Sequence, residues 1–247
     1  MIEVKDLKKS FGTQTVLNGV NFEIEDKKIT VILGKSGVGK SVLLSNIIGL
    51  TIPDSGSIFY KDKDITKLNL KELNKIRKNF GVLFQDAALF DSLNVFENIA
   101  FPLIEHKTVK NKKEIKQRVA DMLKLVGLSD IEHKMPSELS GGMRKRVALA
   151  RAIITNPEVV FFDEPTTGLD PVSAMSIANL IKDMQEKLST TCFIISHDLS
   201  LTFNIAHKIG LLDSGKIVDF GDRNHFLNSD NNIVKNFINA YSLGDTI

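Results

Sequence analysis

The chain opens on alternation. Ile2 and Val4 fall between polar neighbours, and so do Val20, Phe22 and Ile24, the period-two pattern of strands with one buried face. KITVIL, ending at Leu33, is an apolar run that predicts a buried strand. A glycine-rich turn follows, and SVLLSNIIGL predicts a helix after it. From about Asp91 to Arg151 the period lengthens to that of helices. In EIKQRVADMLKLVGL, Ile115, Val119, Met122, Leu123 and Val126 share one face, and Gly127 suits the helix end. Strand signals return in EVVFFDE, in TCFIISHD and in the pair KIGLLDSG and KIVDFGD, whose Asp-Ser-Gly reads as a hairpin turn. The helix PVSAMSIANLIKDMQEKL separates the first two. Strands alternating with helices predict an α/β fold with a parallel sheet.

Composition narrows the function. The 247 residues suffice for one large domain or two small lobes. Thirty-two basic and 30 acidic side chains leave a net charge of +2, which argues against a general nucleic-acid binder. The longest run without a charge, Ser41 to Pro53, has 13 residues, whereas a spanning helix needs about 20. Glu3, Lys5 and Asp6 interrupt any apolar leader. The expectation is a cytoplasmic chain whose membrane role comes through a partner. Cys192 is the only cysteine, within the apolar TTCFIIS, so core packing is expected of it. The lysine-rich EHKTVKNKKEIKQR reads as a solvated loop and helix face, and no repeat or low-complexity linker is present.

Two short segments carry chemistry. GKSGVGKS, residues Gly34, Lys35, Ser36, Gly37, Val38, Gly39, Lys40 and Ser41, follows a buried strand and opens a helix. Glycines let backbone N–H groups wrap phosphates, and the helix N-terminus adds its positive dipole end. Lys40 then reaches the β- and γ-phosphates and the Ser41 hydroxyl serves Mg²⁺. VVFFDEP sets two carboxylates after four apolar residues. A strand buried on both faces belongs in a parallel sheet, whose carboxyl ends receive ligands. Asp163 is placed there to hold Mg²⁺ through water, and Glu164 to polarise an attacking water. A surface carboxylate that merely repels is the alternative for Glu164.

Between these segments lies LSGGMRKRVALARAI, residues Leu139 to Ile153. With them it resembles the signature segment of ABC-transporter ATPases, and the resemblance covers nearly the whole chain in the family's order. Gln85 in LFQD matches the Q-loop, which implies a metal and catalytic role. Ser140, Gly141 and Gly142 match the signature. Gly168, Leu169 and Asp170 match the D-loop, His197 in ISHD the switch histidine, and Phe11 in SFG the aromatic that stacks on adenine. The resemblance implies ATP and Mg²⁺ as cofactors, ATP hydrolysis, and a head-to-tail, ATP-dependent homodimer in which each signature caps the opposite γ-phosphate. It implies a P-loop NTPase fold of ABC type: a RecA-like parallel sheet core, an N-terminal antiparallel β subdomain and an inserted α-helical subdomain. The catalytic core then spans about 1–87 and 152–225, the helical signature subdomain about 88–151, and a C-terminal helix and tail about 226–247. One position departs from the family. Met143 stands where glutamine is usual, and a thioether cannot donate that amide's hydrogen bonds.

GKSGVGKSVLL, FQDAALFDSLNVFENIAFPL and the methionine-containing signature resemble a narrower group, the Mla-type (Mce-associated) lipid-transport ATPases of bacteria. That resemblance implies an integral-membrane permease, an Mce-type lipid-binding protein and a STAS-domain regulator as partners, phospholipid or another hydrophobic cargo, and a place on the cytoplasmic side of the inner membrane. The permease contact falls in Ala87 to Leu103, among Leu89, Phe90, Leu93, Phe96 and Phe101, with Phe90 and Leu93 expected to be exposed. NNIVKNFINAYSLGDTI differs from the longer tail of some such ATPases; Val234, Phe237 and Ile238 form one apolar face, and tail exchange between subunits is not expected. Alternatives stand beside this reading: an ABC ATPase for another cargo, a cell-division ABC complex, and, less favoured, a non-transport ABC protein, which usually carries two fused ATPase domains or a long coiled coil.

Overall fold

A computed structural model describes residues 2–109 and 111–242, with side chains to residue 240. Lys110, within the lysine-rich stretch, and residues 243–247, within the expected tail, lie outside the described residues. The chain divides into two compact units, one of Met1–Asn74 with Thr191–Ile247, the other of Lys75–Thr190.

The first unit holds an antiparallel sheet and a mainly parallel one. β1 (Ile2–Phe11) pairs with β2 (Gln14–Ile24) and with β4 (Ser55–Tyr60), which continues to the short β5 (Lys63–Asp64). The alternation read in the sequence is the burial pattern: Ile2, Val4, Val20, Phe22 and Ile24 are all inside. β3 (Ile29–Leu33) is buried along its whole length and is an inner strand of its sheet, parallel to β8 (Thr191–Ser196) on one side and to β9 (Lys208–Asp213) on the other. β9 turns back into β10 (Lys216–Gly221) through Ser214 and Gly215, both left-handed at φ 47° and 75°, as a tight hairpin requires. Phe22 stacks on Phe193 with ring centroids 5.7 Å apart, joining the two sheets of this unit. Around them run α1 (Lys40–Ile47), α7 (Leu199–Ile205), α8 (Arg223–Leu227) and α9 (Asn232–Ser242), the last burying Val234 and Phe237. Cys192 is fully buried in β8, and burial pushes its thiol pKa far up, in keeping with a packing role.

α2 (Leu70–Arg77) runs across the boundary in sequence. The second unit contains β6 (Phe80–Leu83) and β7 (Val159–Asp163), paired in parallel with Leu83 opposite Phe162. Three helices between them pack together through apolar stripes: α3 (Val95–Glu105), α4 (Lys112–Leu125) and α5 (Gly141–Ile153). α3 begins in a capping box, in which Asn94 accepts from the Glu97 amide at 2.8 Å and Glu97 accepts from the Asn94 amide at 2.9 Å. α4 gives up Ile115, Val119 and Leu123 to the core, while Met122 is only half-buried; Gly127 ends it at φ 69°. α6 (Pro171–Leu188) follows β7, capped by Asp170 with proline at its first turn. Among the described residues no helix is long and apolar enough to cross a membrane.

Candidate functional site

In the first unit the expected phosphate loop leaves the end of β3. Leu33 is in register with Ser196 of β8 and Leu211 of β9, so the loop and His197 emerge from the same end of neighbouring strands. Gly34 and Gly39 are required by close approach. A Cβ on Gly34 would stand 2.8 Å from the Leu212 carbonyl oxygen, and one on Gly39, whose φ is 109°, would stand 2.8 Å from Val16 Cγ1. Gly39 caps α1 without a side-chain hydrogen bond, and the start of a helix carries the positive end of its dipole. The Lys40 ammonium is held within the loop, donating to the carbonyls of Gly34 (2.8 Å) and Lys35 (3.1 Å), and the residue is buried. His197 is half-buried just beyond β8, and Asp198 accepts from the Leu201 amide at 2.9 Å to start α7. Phe11 ends β1 and is 52% exposed, with the Lys9 ammonium over its ring, 5.4 Å from the ring centre.

In the second unit Gln85, Asp163 and Glu164 lie beyond the paired ends of β6 and β7. Asp163 is half-buried and Glu164 buried, and Glu164 adopts φ 48°, a left-handed backbone rare for a non-glycine residue. The Thr167 hydroxyl lies 3.4 Å from Glu164 Oε2. The signature begins on the same unit. Ser140 caps α5, its Oγ accepting from the Met143 amide at 3.3 Å. A Cβ on Gly142 would meet open space, and one on Gly141 would sit 3.6 Å from Leu169 Cδ2, so the start of α5 adjoins the expected D-loop. Asp170 accepts from the amides of Val172 (3.1 Å) and Ser173 (3.0 Å); the Ser173 hydroxyl first, and then these amides, lower the pKa of its carboxyl.

The family model described as ABC transporter matches residues 17–167, which takes in the phosphate loop, the signature and the acidic strand end. The chain belongs to the ABC transporter family. It is 44% identical over 243 residues to Mkl of Mycobacterium leprae, an ATP-binding protein named for ribonucleotide transport, covering 98% of this chain and 70% of that one. It is 40% identical over 244 residues to MlaF of Haemophilus influenzae, the ATP-binding protein of an intermembrane phospholipid transport system, covering 99% and 92%. It is also 40% identical over 222 residues to the methionine import ATP-binding protein MetN of Clostridium tetani, covering 90% and 69%. Among solved structures, a dimeric ATP-binding cassette bound to ADP and phosphate after hydrolysis superposes with TM-score 0.82 at 30% identity, covering 90% of this chain and 98% of that one. This ABC ATPase therefore has the expected fold class, binds ATP and hydrolyses it as the ATP-binding subunit of a transporter.

The residues of the cassette fit nucleotide. The loop offers a buried ammonium, amides at a helix start and glycines where any side chain would clash. Among the described residues no group of three or more His, Cys, Asp or Glu gathers to hold a metal. Mg²⁺ takes one or two protein oxygens and completes its shell with phosphate and water. Ser41, Gln85 and Asp163 are oxygen donors of the right kind.

Sequence reading missed the residues that support these groups. Lys145 of α5 is buried, and its ammonium donates to the Gln85 carbonyl and lies 3.5 Å from the Glu164 carbonyl. Burial pulls its pKa below the usual lysine value, while the carboxylates of Asp86, Asp163 and Glu164 push it back up. Arg151 of the same helix donates to the carbonyls of Ala87 and Ala88, both at 2.8 Å. The signal for Lys145 was periodicity: with Ala148, Leu149 and Ala152 it forms an i, i+3, i+4, i+7 set whose other members are apolar and buried.

Proposed function

We propose that this ATPase energises a transporter of phospholipid or another hydrophobic cargo. Its working form is an ATP-dependent head-to-tail homodimer, docked on an integral-membrane permease at the cytoplasmic side of a bacterial inner membrane. An Mce-type lipid-binding protein is its cargo partner and a STAS-domain protein its regulator. The observation that carries the cargo reading is the likeness to MlaF, which runs through 92% of that protein's length and 99% of this chain. The likeness to MetN favours a second reading, a transporter for a polar solute.

In the proposed cycle Gly34–Ser41 hold the phosphates, with Lys40 as the cation and Phe11 against the base. Ser41, Gln85 and Asp163 are the residues that would hold Mg²⁺, which would supply positive charge to the phosphates. Glu164 accepts the proton of the attacking water, and His197 keeps that water in line with the γ-phosphate. Ser140, Gly141 and Gly142 offer amides to the nucleotide of the other subunit, with Asp170 at the dimer contact. ATP joins the two copies and its hydrolysis releases them.

A surface suited to the permease lies in the second unit. Phe90 is 42% and Phe101 38% exposed, and their rings pack at 4.7 Å between centroids. Leu93, expected beside Phe90 as an exposed contact, is half-buried instead; its amide bonds the Phe90 carbonyl at 3.1 Å and turns the chain inward. Phe101 takes its place.

The test is to co-express the chain with its neighbouring genes, purify the assembly in detergent and identify bound lipid by mass spectrometry. Phospholipid with a permease and an Mce-type protein is the expected result. A permease accompanied by a polar-solute-binding protein and no lipid overturns the cargo reading and leaves the ATPase in place.

A further inference from the structure

Three non-glycine residues near the candidate chemistry hold left-handed backbones: Ala87 (φ 63°), Ala88 (φ 47°) and Glu164 (φ 48°). Each such conformation costs on the order of 1–3 kcal/mol unless its surroundings enforce it. The three share one feature. A cation from the signature helix reaches the main-chain carbonyl of each: Arg151 bonds Ala87 and Ala88 at 2.8 Å, and the Lys145 ammonium lies 3.5 Å from that of Glu164. Lys145 also donates to the carbonyl of Gln85, so a single buried ammonium bridges the ends of β6 and β7.

Packing alone does not account for a lysine there. Burying an ammonium is costly, and a methionine of similar length would fill the space without that cost. Burial lowers the pKa of that ammonium, and the carboxylates of Asp86, Asp163 and Glu164 act against the lowering. The partners of the ammonium are main-chain atoms, so it acts on where the side chains of Gln85 and Glu164 begin.

We infer that Lys145 is a positioning residue for hydrolysis: it fastens the main chain at Gln85 and Glu164 to the signature helix α5, so that the seat of that helix sets the geometry of both side chains. The inference rests on the reading of Glu164 as the base and deepens it. Nucleotide affinity is assigned to the phosphate loop and not to Lys145, so the signature of the role is loss of turnover without loss of binding.

The experiment compares the full chain with Lys145→Met, Lys145→Arg and, as a separate control, Glu164→Gln. Phosphate release, ATP affinity by titration calorimetry and Tm are measured on each. Lys145→Met is expected to lower kcat roughly tenfold to hundredfold while leaving the Kd for ATP within about twofold. Lys145→Arg, which keeps a cation with several donors, is expected to recover most of the rate. Wild-type turnover by Lys145→Met overturns the inference, and so does a parallel loss of binding, turnover and Tm that Arg does not rescue. If Lys145→Met does not fold, Lys145→Gln, too short to bridge both carbonyls, carries the same test: reduced kcat at unchanged Kd supports the role, and unchanged kcat overturns it. Normal hydrolysis by Glu164→Gln would instead remove the base assignment itself, whatever the Lys145 variants do.

Discussion

Glu164 combines a buried carboxylate with a left-handed backbone at the end of an apolar strand. Glu164→Gln keeps the shape and removes the basicity. We expect its phosphate release to fall about 10²-fold or more while ATP still binds, as measured by single-turnover hydrolysis and calorimetry. Gly39→Ala tests the loop. A methyl at φ 109° facing Val16 should destabilise the chain by about 1–3 kcal/mol and weaken nucleotide binding; chemical denaturation and titration measure the two effects. At this scale the sequence was legible wherever a motif has fixed spacing. Lys40, Ser41, Asp163, Glu164 and Ser140 were each named from their neighbours in sequence. Lys145 and Arg151 were not, because their partners are carbonyls sixty or more residues away for the Q-loop contacts, and a carbonyl carries no residue-type signal. Asp170 was read for an interface, and the structure shows in addition that it caps α6.

Among the elements, long periodic segments were readable and short ones were not. β3 and β7 stood out as apolar runs and α4 by its stripe. β6 has only four residues, two of them half-buried, and acquires strand character from its pairing with β7, far along the chain. The loop before α3 shows how an element is held once formed. Asn98 is fully buried; its Oδ1 accepts from the Phe90 amide at 2.8 Å, and its Nδ2 donates to the carbonyls of Phe90 (3.1 Å), Leu93 (2.8 Å) and Asn94 (3.1 Å). Asn98→Leu keeps the volume and takes away the side-chain partner of the Phe90 amide and the Leu93 carbonyl, while the Phe90 and Asn94 carbonyls keep the amides of Leu93 and Asn98. It should cost about 1–3 kcal/mol and speed amide exchange at residues 90–94, measured by hydrogen–deuterium exchange. A variant with unchanged exchange there would mean that the helix start alone orders the loop.

For the whole molecule the decisive question is association with a second copy. Ser140→Arg places a long cation at the start of α5, where Gly142 opens on free space. If the signature faces the other subunit's nucleotide, this variant should bind ATP as a monomer and fail to dimerise. Light scattering with ATP on the Glu164→Gln background reads the outcome, and an ATP-dependent dimer of the double variant would take the signature out of the interface. The division of the chain into units has a further consequence, for its synthesis. The strands that flank β3 within its own unit, β8 and β9, lie beyond residue 190. A ribosome adding about 5–20 residues per second leaves Ile29–Leu33, apolar but for Thr30, without those neighbours for roughly ten to thirty seconds. During that interval the nascent chain displays a sticky strand to every other chain nearby, so the yield of folded protein in a cell should depend on chaperones that shield the emerging N-terminus.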